Sequence, residues 1–197
     1  MKRIIKTAAL MLLLFLLTAC KEEEIMTEED PYREGKIQFS KDYPEVSKDH
    51  SYRMIDAERG LEILERGTGV VYFGFPDCPW CRAYVPLLQE AVSSYSDLPI
   101  WYIDIQKDRD ENSEVYRQIT EYGKDYFKLD QEGEPRIYVP FIIFVKNGEI
   151  ISTDDETSIM NEEITPEEYW TEEKKAEFKM KIYDGLQAIG EDCGSCN

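Results

Sequence analysis

The sequence is poor in histidine and in positive charge. His50 is its only histidine, and 23 lysines and arginines stand against 41 aspartates and glutamates, which gives a formal net charge of −18. A catalytic or metal-binding role for His50 would need a partner that the sequence does not identify, so this residue is predicted to lie on the surface or in a turn. The negative charge weighs against binding to nucleic acid or to an anionic membrane surface.

Long apolar runs are also scarce. The longest extends from Ala8 to Leu17 and follows three basic residues. It is too short to span a bilayer as an ordinary helix, so residues 1–19 are predicted to be a secretory signal peptide. The Leu-Thr-Ala-Cys sequence that ends at Cys20 resembles a bacterial lipobox. This implies a lipid on Cys20 and a place on the extracytoplasmic face of the cell membrane, and the alternative is a plain signal peptide or an uncleaved anchor.

Cysteine is infrequent but regularly spaced. Four of the five cysteines form two pairs with CxxC spacing, Cys78/Cys81 and Cys193/Cys196. In an exported protein, such pairs can persist as disulfides.

The first pair lies where an apolar strand pattern changes into a helical pattern. Residues Val70–Phe73 favour a buried strand, and the helical pattern begins after a short turn. Cys78 would lie at the start of the helix, where free N–H groups and the helix dipole favour a thiolate. Pro79 suits the first helical position. Cys81, one turn later, would be close enough to Cys78 to close a disulfide.

The residues around this dithiol resemble the thioredoxin superfamily. Pro86 lies where thioredoxins carry a proline that kinks the active-site helix, and residues 138–145 resemble the strand that begins at the family's cis-proline, here Pro140. Asn147-Gly148 then predicts a hairpin. The resemblance covers residues 51–190. The narrower sequence FPDCPWCRAYVP looks most like thioredoxin-like proteins of the bacteriocin transport accessory type.

The resemblance implies an α/β thioredoxin fold, with a central mixed sheet flanked by helices, over residues 49–190. Residues 20–48 are predicted to be a lipid-anchored acidic linker, and residues 191–197 a tail that carries the second CxxC. Two charged segments, residues 128–136 and the mobile acidic stretch 154–164, are predicted to be insertions.

Capping residues and helical spacing predict the helices, and with the predicted strands they give the order β-α-β-α-β-β-α of thioredoxins. Asp56 is predicted to cap a helix that Gly67 ends, Thr165 to begin a capping box, and Gly190 to end the last helix. Two amphipathic helices are predicted from apolar residues at helical spacing: Val115, Ile119, Tyr122 and Tyr126 in the first, and Phe178, Ile182, Leu186 and Ile189 in the second.

The chemistry implied by the resemblance is thiol–disulfide exchange without a cofactor. Cys78 is the expected nucleophile and Cys81 the resolving thiol, with Pro79 and Trp80 adjusting their reactivity. The Val139 backbone and a cis Pro140 are expected to receive an extended protein substrate. The alternatives are simple packing for Trp80 and an ordinary trans edge-strand proline for Pro140. A membrane electron donor or an exporter would be a further partner.

One position departs from the family. Thioredoxins have a buried aspartate six residues before the first cysteine, whereas this chain has Tyr72, and a phenol is a poor base at neutral pH. Near the nucleophile, Asp77 would oppose formation of the Cys78 thiolate and Arg82 could offset it. The sequence does not decide the net effect.

Several alternatives stay open. Cys193 and Cys196 are a terminal disulfide, half of a four-thiolate zinc site, or a redox relay to the first pair. The whole protein could instead be a non-catalytic accessory module for an exporter or a secreted peptide, or a metal carrier. No metal site is predicted, and the direction of electron flow is not determined.

Overall fold

Five strands form the central sheet of the computed structural model, which describes residues 31–95, 98–160 and 163–190. They are β1 (Tyr52–Met54), β2 (Gly69–Gly74), β3 (Ile100–Asp104), β6 (Phe141–Lys146) and β7 (Glu149–Asp154), in the spatial order β1-β3-β2-β6-β7. Strands β1 and β2 run parallel to β3, whereas β6 is antiparallel to β2 and to β7. A separate hairpin pairs β4 (Lys128–Leu129) with β5 (Pro135–Arg136).

Helices cover both faces of this sheet. They are α1 (Arg33–Asp42), α2 (Ala57–Arg66), α3 (Pro79–Val92), α4 (Gln106–Asp110), α5 (Glu114–Tyr122), α6 (Pro166–Tyr169) and α7 (Glu172–Ile189). The α2 helix packs against α5, and α3 packs against α7. Gly60 of α2 lies against Ile103, whereas the neighbouring Tyr102 points toward the ring of Tyr72. Because successive side chains of a strand point to opposite faces, α2 and the Tyr72 ring lie on opposite sides of the sheet.

The predicted fold class is confirmed. Every residue of β2 and the first five residues of β6 are buried, as expected for central strands covered on both faces. The elements follow the thioredoxin order, with α1, α4, the β4–β5 hairpin and α6 as additions.

The predicted helix ends are also confirmed. Asp56 accepts a hydrogen bond from the Arg59 N–H, and Thr165 and Glu168 form a capping box. The predicted stripe of the last helix is buried, and Gly190 ends that helix with φ 93°. The helix that begins at Glu114 ends at Tyr122, so Tyr126 lies beyond it and is half exposed.

The prediction of a linker through residue 48 is wrong for its second half. Phe39 of α1 and Tyr43 just after it are fully buried. The Phe39 ring stacks on Tyr52 of β1 at 4.1 Å and meets Tyr102 of β3 edge-on at 4.9 Å. These aromatic contacts hold an otherwise polar helix against the edge of the sheet, so the folded part of the described chain begins before residue 49.

The surface position predicted for His50 is also wrong, because α1 covers this residue. Its side chain is 3% exposed and lies 5.0 Å from the Phe39 ring, and Nε2 is 2.9 Å from the Ser40 hydroxyl. Burial, and then the positive charges of Lys36 and Arg53, lower the pKa of His50 to about 4.

The two predicted insertions have structure of their own. Residues 128–136 form the β4–β5 hairpin, with Gly133 at φ 88° in its turn. The acidic stretch 154–164 was expected to be mobile, but Asp154 is buried at the end of β7 and Glu156 is paired with Lys174 and Lys181 of α7. Residues 161 and 162 lie outside the described chain.

The predicted signal peptide, Cys20 and the tail with Cys193 and Cys196 also lie outside the described residues. Within the described ranges, no helix combines the length and the apolar character needed to cross a bilayer.

Candidate active site

The strand–turn–helix around the first cysteine pair is present. Strand β2 ends at Gly74, and Cys78 is the N-cap of α3, with Pro79 at the first helical position. The Cys78 N–H donates to the Phe75 carbonyl at 3.2 Å, which closes the turn. The Cys81 N–H donates to the Cys78 sulfur at 3.1 Å. The first sulfur therefore occupies the position where a helix start stabilises negative charge.

The two sulfurs differ in their access to solvent. Both cysteines are free thiols, with Cys78 8% exposed and Cys81 fully buried. The residues on either side of Cys78, Asp77 and Pro79, are exposed. Cys78 is thus buried apart from a small exposed fraction, and it is the more accessible residue of the pair.

The surroundings also separate the pKa values of the two thiols. A hydrogen bond with the Cys81 thiol lowers the pKa of Cys78 most, the backbone N–H groups of Cys81 and Trp80 and the charge of Arg109 lower it further, and partial burial opposes them. Burial raises the pKa of Cys81, and its interaction with Cys78 raises it further. Deprotonation at neutral pH therefore favours Cys78.

Arg109 is a site residue that sequence reasoning missed. Its guanidinium lies 4.9 Å from the Phe75 ring centroid, and its side chain is 14% exposed. Arg82, which could offset Asp77, is paired with Glu45 and donates to the backbone carbonyl of Pro76. Arg109 lies in α4, which directly follows β3 at this end of the sheet. Since Arg109 is far from Cys78 in the sequence, no local sequence pattern predicts that the two residues are close.

The proline loop faces the dithiol. The peptide bond between Val139 and Pro140 is cis, both residues are buried, and the Val139 carbonyl oxygen lies 4.0 Å from the Cys78 sulfur. The Tyr116 hydroxyl of α5 accepts a hydrogen bond from the Ile137 N–H at 3.2 Å and so holds the chain that enters this loop. The fold therefore brings together two segments that are distant in the sequence.

Trp80 is half-buried and has an aromatic neighbour. Its ring meets that of Tyr169 on α6 edge-on, with 5.7 Å between the centroids. Tyr169 is held in turn by a hydrogen bond from its hydroxyl to Glu156. Trp80 therefore packs against the rim formed by α6 and keeps part of its surface open.

Tyr72 is a buried neighbour of Cys81, with which it interacts electrostatically. It is fully buried, its ring stacks on Tyr84 of α3 at 5.6 Å and on Tyr102 of β3 at 5.7 Å, and burial raises its pKa. A half-buried acid, Asp104, lies at the end of β3 in register with Gly74, and burial raises its pKa also. Asp104 was not predicted as a site residue, although an acid at the carboxyl end of a parallel strand is a signal that the sequence contains.

The second cysteine pair lies outside the described residues, and its three alternatives, a terminal disulfide, half of a zinc site and a redox relay, stay predictions. The last described residue, Gly190, lies beside Lys146, at the end of β6 opposite to Phe141. Among residues 31–95, 98–160 and 163–190, no group of three or more His, Cys, Asp or Glu side chains is arranged to hold a metal ion.

Detected similarity to known proteins is confined to solved structures. No protein-family model matches the chain, and a search of curated proteins found no match. Among solved structures, the chain is similar to thioredoxin O2 from Arabidopsis thaliana in its oxidized state. That alignment has 22% sequence identity and a TM-score of 0.35, and it covers 53% of this chain and 82% of the other.

Proposed function

We propose that this protein is a thiol–disulfide oxidoreductase that acts on protein thiols and disulfides through Cys78 and Cys81. The observation that supports this most directly is the position of the Cys78 sulfur. It caps α3, accepts the Cys81 N–H and faces the Val139 carbonyl across the entrance to the site. A static disulfide across one helical turn would constrain too little chain to explain this arrangement.

The reaction has two steps. The Cys78 thiolate attacks one sulfur of a substrate disulfide, forms a Cys78–substrate disulfide and releases the other substrate sulfur as a thiolate, which takes up a proton. Cys81 then loses its proton and attacks the Cys78 sulfur. The Cys78–Cys81 bond forms, the Cys78–substrate bond breaks, and the second substrate sulfur leaves and is protonated. In the reverse direction, the same steps oxidise a substrate dithiol.

The site favours a substrate in extended conformation. The buried Val139–Pro140 loop presents backbone beside Cys78, and Trp80, two residues after Cys78, adds a partly exposed aromatic surface. Backbone pairing with the loop would provide affinity with little dependence on substrate sequence.

Turnover of protein disulfides tests the proposal. The full chain, with dithiothreitol as reductant, is expected to accelerate reduction of insulin, and the Cys78→Ser/Cys81→Ser double variant is expected to lose this acceleration. A Cys193→Ser/Cys196→Ser variant is the matched control, because it removes an equal number of thiols elsewhere. Equal rates for the wild type and the Cys78/Cys81 variant would contradict catalysis and favour a binding role.

The reduction potential decides the physiological direction. Equilibration of the Cys78/Cys81 pair with glutathione buffers, followed by mass spectrometry of the peptide that contains both cysteines, gives this value. A potential near about −120 mV indicates an oxidant, and one near about −270 mV indicates a reductant.

We further propose that Cys20 carries the lipid that anchors this domain outside the cytoplasm. The support is the apolar run before Cys20 and the Leu-Thr-Ala-Cys sequence itself. Metabolic labelling with palmitate in a bacterial host is expected to mark the wild-type chain and not the Cys20→Ser variant. Equal labelling of both chains would contradict lipid attachment at Cys20.

A further inference from the structure

Four tyrosine side chains interact with the buried thiol of Cys81. Tyr72 and Tyr102 from the sheet, Tyr84 from α3 and Tyr43 from the segment after α1 all interact electrostatically with this thiol.

The hydroxyl groups of three of these tyrosines already have partners. The Tyr43 and Tyr102 hydroxyls are 3.4 Å apart, and the Tyr84 hydroxyl donates to Asp154 Oδ2 at 3.1 Å. The Tyr72 hydroxyl is different, since it is fully buried and has no hydrogen-bond partner among the described residues. A buried polar group without a partner is unfavourable, so its retention needs an explanation.

The shape of strand β2 places this hydroxyl at the active-site end of the strand. The Tyr72 ring lies over Gly74, two residues later on the same face, and a Cβ atom on Gly74 would come within 2.8 Å of the hydroxyl oxygen and 2.9 Å of Cζ. Only glycine leaves this space open. The ring is fixed from its sides by Tyr84 and Tyr102, so the hydroxyl is held at the end of β2, where the turn toward Cys78 and Cys81 begins.

We propose that Tyr72 is a positioning residue for the second step of thiol–disulfide exchange, in which its hydroxyl donates a hydrogen bond to the Cys81 thiolate as that sulfur attacks Cys78. The inference rests on the exchange reaction proposed above. In the described dithiol the neutral Cys81 sulfur is a weak acceptor: the Tyr72 hydroxyl lies near enough to lower the pKa of Cys81 but does not reach full hydrogen-bond geometry. A thiolate is a much stronger acceptor.

The proton balance of this step involves Tyr72 only as a donor of a hydrogen bond. Burial raises the pKa of Tyr72 well above its ordinary value, so the phenol stays protonated throughout. The proton that Cys81 loses is balanced by the one that the departing substrate sulfur gains. A hydrogen bond from the hydroxyl stabilises the negative charge on the fully buried sulfur. It therefore lowers the pKa of Cys81, although burial has the larger effect and raises that pKa.

The two steps can be separated with an aromatic disulfide reagent, 5,5′-dithiobis(2-nitrobenzoate). The full chain with serine at positions 20, 193 and 196 contains one dithiol. Attack by Cys78 releases one coloured thiolate, and closure by Cys81 releases a second. In Tyr72→Phe, the first phase is expected to be unchanged and the second to be about tenfold slower at neutral pH. The pH profile of the second phase is expected to move to higher pH.

Tyr52→Phe is the matched control, because the Tyr52 hydroxyl is equally buried but donates to the Val85 carbonyl at 2.7 Å. This variant is expected to leave both phases unchanged. A second phase in Tyr72→Phe within twofold of the wild-type rate would overturn the assignment. So would equal slowing of both phases, or equal slowing in both variants, because either result would indicate altered packing.

The same experiment keeps this inference separate from the proposed function. If the wild-type chain closes its disulfide with the reagent but does not reduce insulin, and Tyr72→Phe slows that closure, the role of Tyr72 stands and the proposed function fails. If insulin is reduced normally and closure is equally fast in Tyr72→Phe, only the role of Tyr72 is removed.

Discussion

At the scale of single residues, the pKa of Cys78 is lowered mainly by its hydrogen bond with the Cys81 thiol, and one charge from a distant part of the chain lowers it further. Arg82, its near neighbour in sequence, is engaged with Glu45, whereas Arg109 of α4 lowers the pKa of Cys78. Replacement Arg109→Gln is therefore expected to raise that pKa. The rate of Cys78 alkylation by iodoacetamide at pH 7 should fall about two- to threefold, as expected for one partly screened charge.

The control for this prediction is Arg82→Gln, which removes an equal charge from a side chain that is closer in sequence. It is expected to leave the pH dependence of alkylation unchanged. A larger effect in Arg82→Gln than in Arg109→Gln would contradict the assignment of Arg109.

The contact between Tyr72 and Gly74 leads to a second prediction at this scale. Gly74→Ala places a methyl group within 3.0 Å of three atoms of the Tyr72 side chain, whose movement is restricted because its ring is buried and stacks on two other rings. The expected loss in the free energy of unfolding is about 1–3 kcal/mol, measured by urea denaturation.

A double-mutant cycle tests whether this loss comes from Tyr72. In a Tyr72→Leu background, the same Gly74→Ala change should cost clearly less, because the obstructing hydroxyl and ring carbon are gone. An equal cost in both backgrounds would show that the strain lies elsewhere.

At the scale of elements, α1 shows how a polar segment can belong to a core. Five of its ten residues are charged, but Phe39 is fully buried on the rings of Tyr43, Tyr52 and Tyr102. Phe39→Ala is expected to lower the free energy of unfolding by about 3–5 kcal/mol, as for other large core truncations.

Ile37 of the same helix provides the control. It is 48% exposed, so Ile37→Ala is expected to change the free energy of unfolding by less than about 1 kcal/mol. Similar small changes in both variants would support the original prediction of a linker through residue 48.

At the scale of the whole molecule, the single histidine makes stability depend on pH. The folded pKa of His50, about 4, lies below its ordinary value of 6.5, so the unfolded chain binds a proton first as the pH falls. The contribution of His50 is therefore complete above about pH 6.5 and is lost progressively down to about pH 4. We expect this loss to be about 3 kcal/mol.

Urea denaturation of the wild type and of His50→Gln at pH values between 7.5 and 4 measures this contribution. The numerous carboxylates titrate in both proteins, so the difference between the two curves isolates His50. That difference is expected to shrink as the pH falls through this window. Parallel curves would show that His50 is accessible to protons in the folded protein.

The sequence by itself determined the parts of this protein that depend on neighbouring residues. Strand β2, the turn into Cys78, the caps at Asp56 and Thr165 and the apolar stripe of α7 were all predictable. Each arises from backbone geometry or side-chain periodicity within a few residues.

Only the tertiary structure decided which distant groups meet at the dithiol and which polar segments join the core. The sheet order places β3 beside β2, and this brings Arg109 and Asp104 to the end of the sheet where Cys78 lies. The buried positions of Phe39 and His50 likewise depend on aromatic rings from other strands. Such contacts join residues far apart in the chain, and local patterns carry no information about them because burial and charge depend on distance in space.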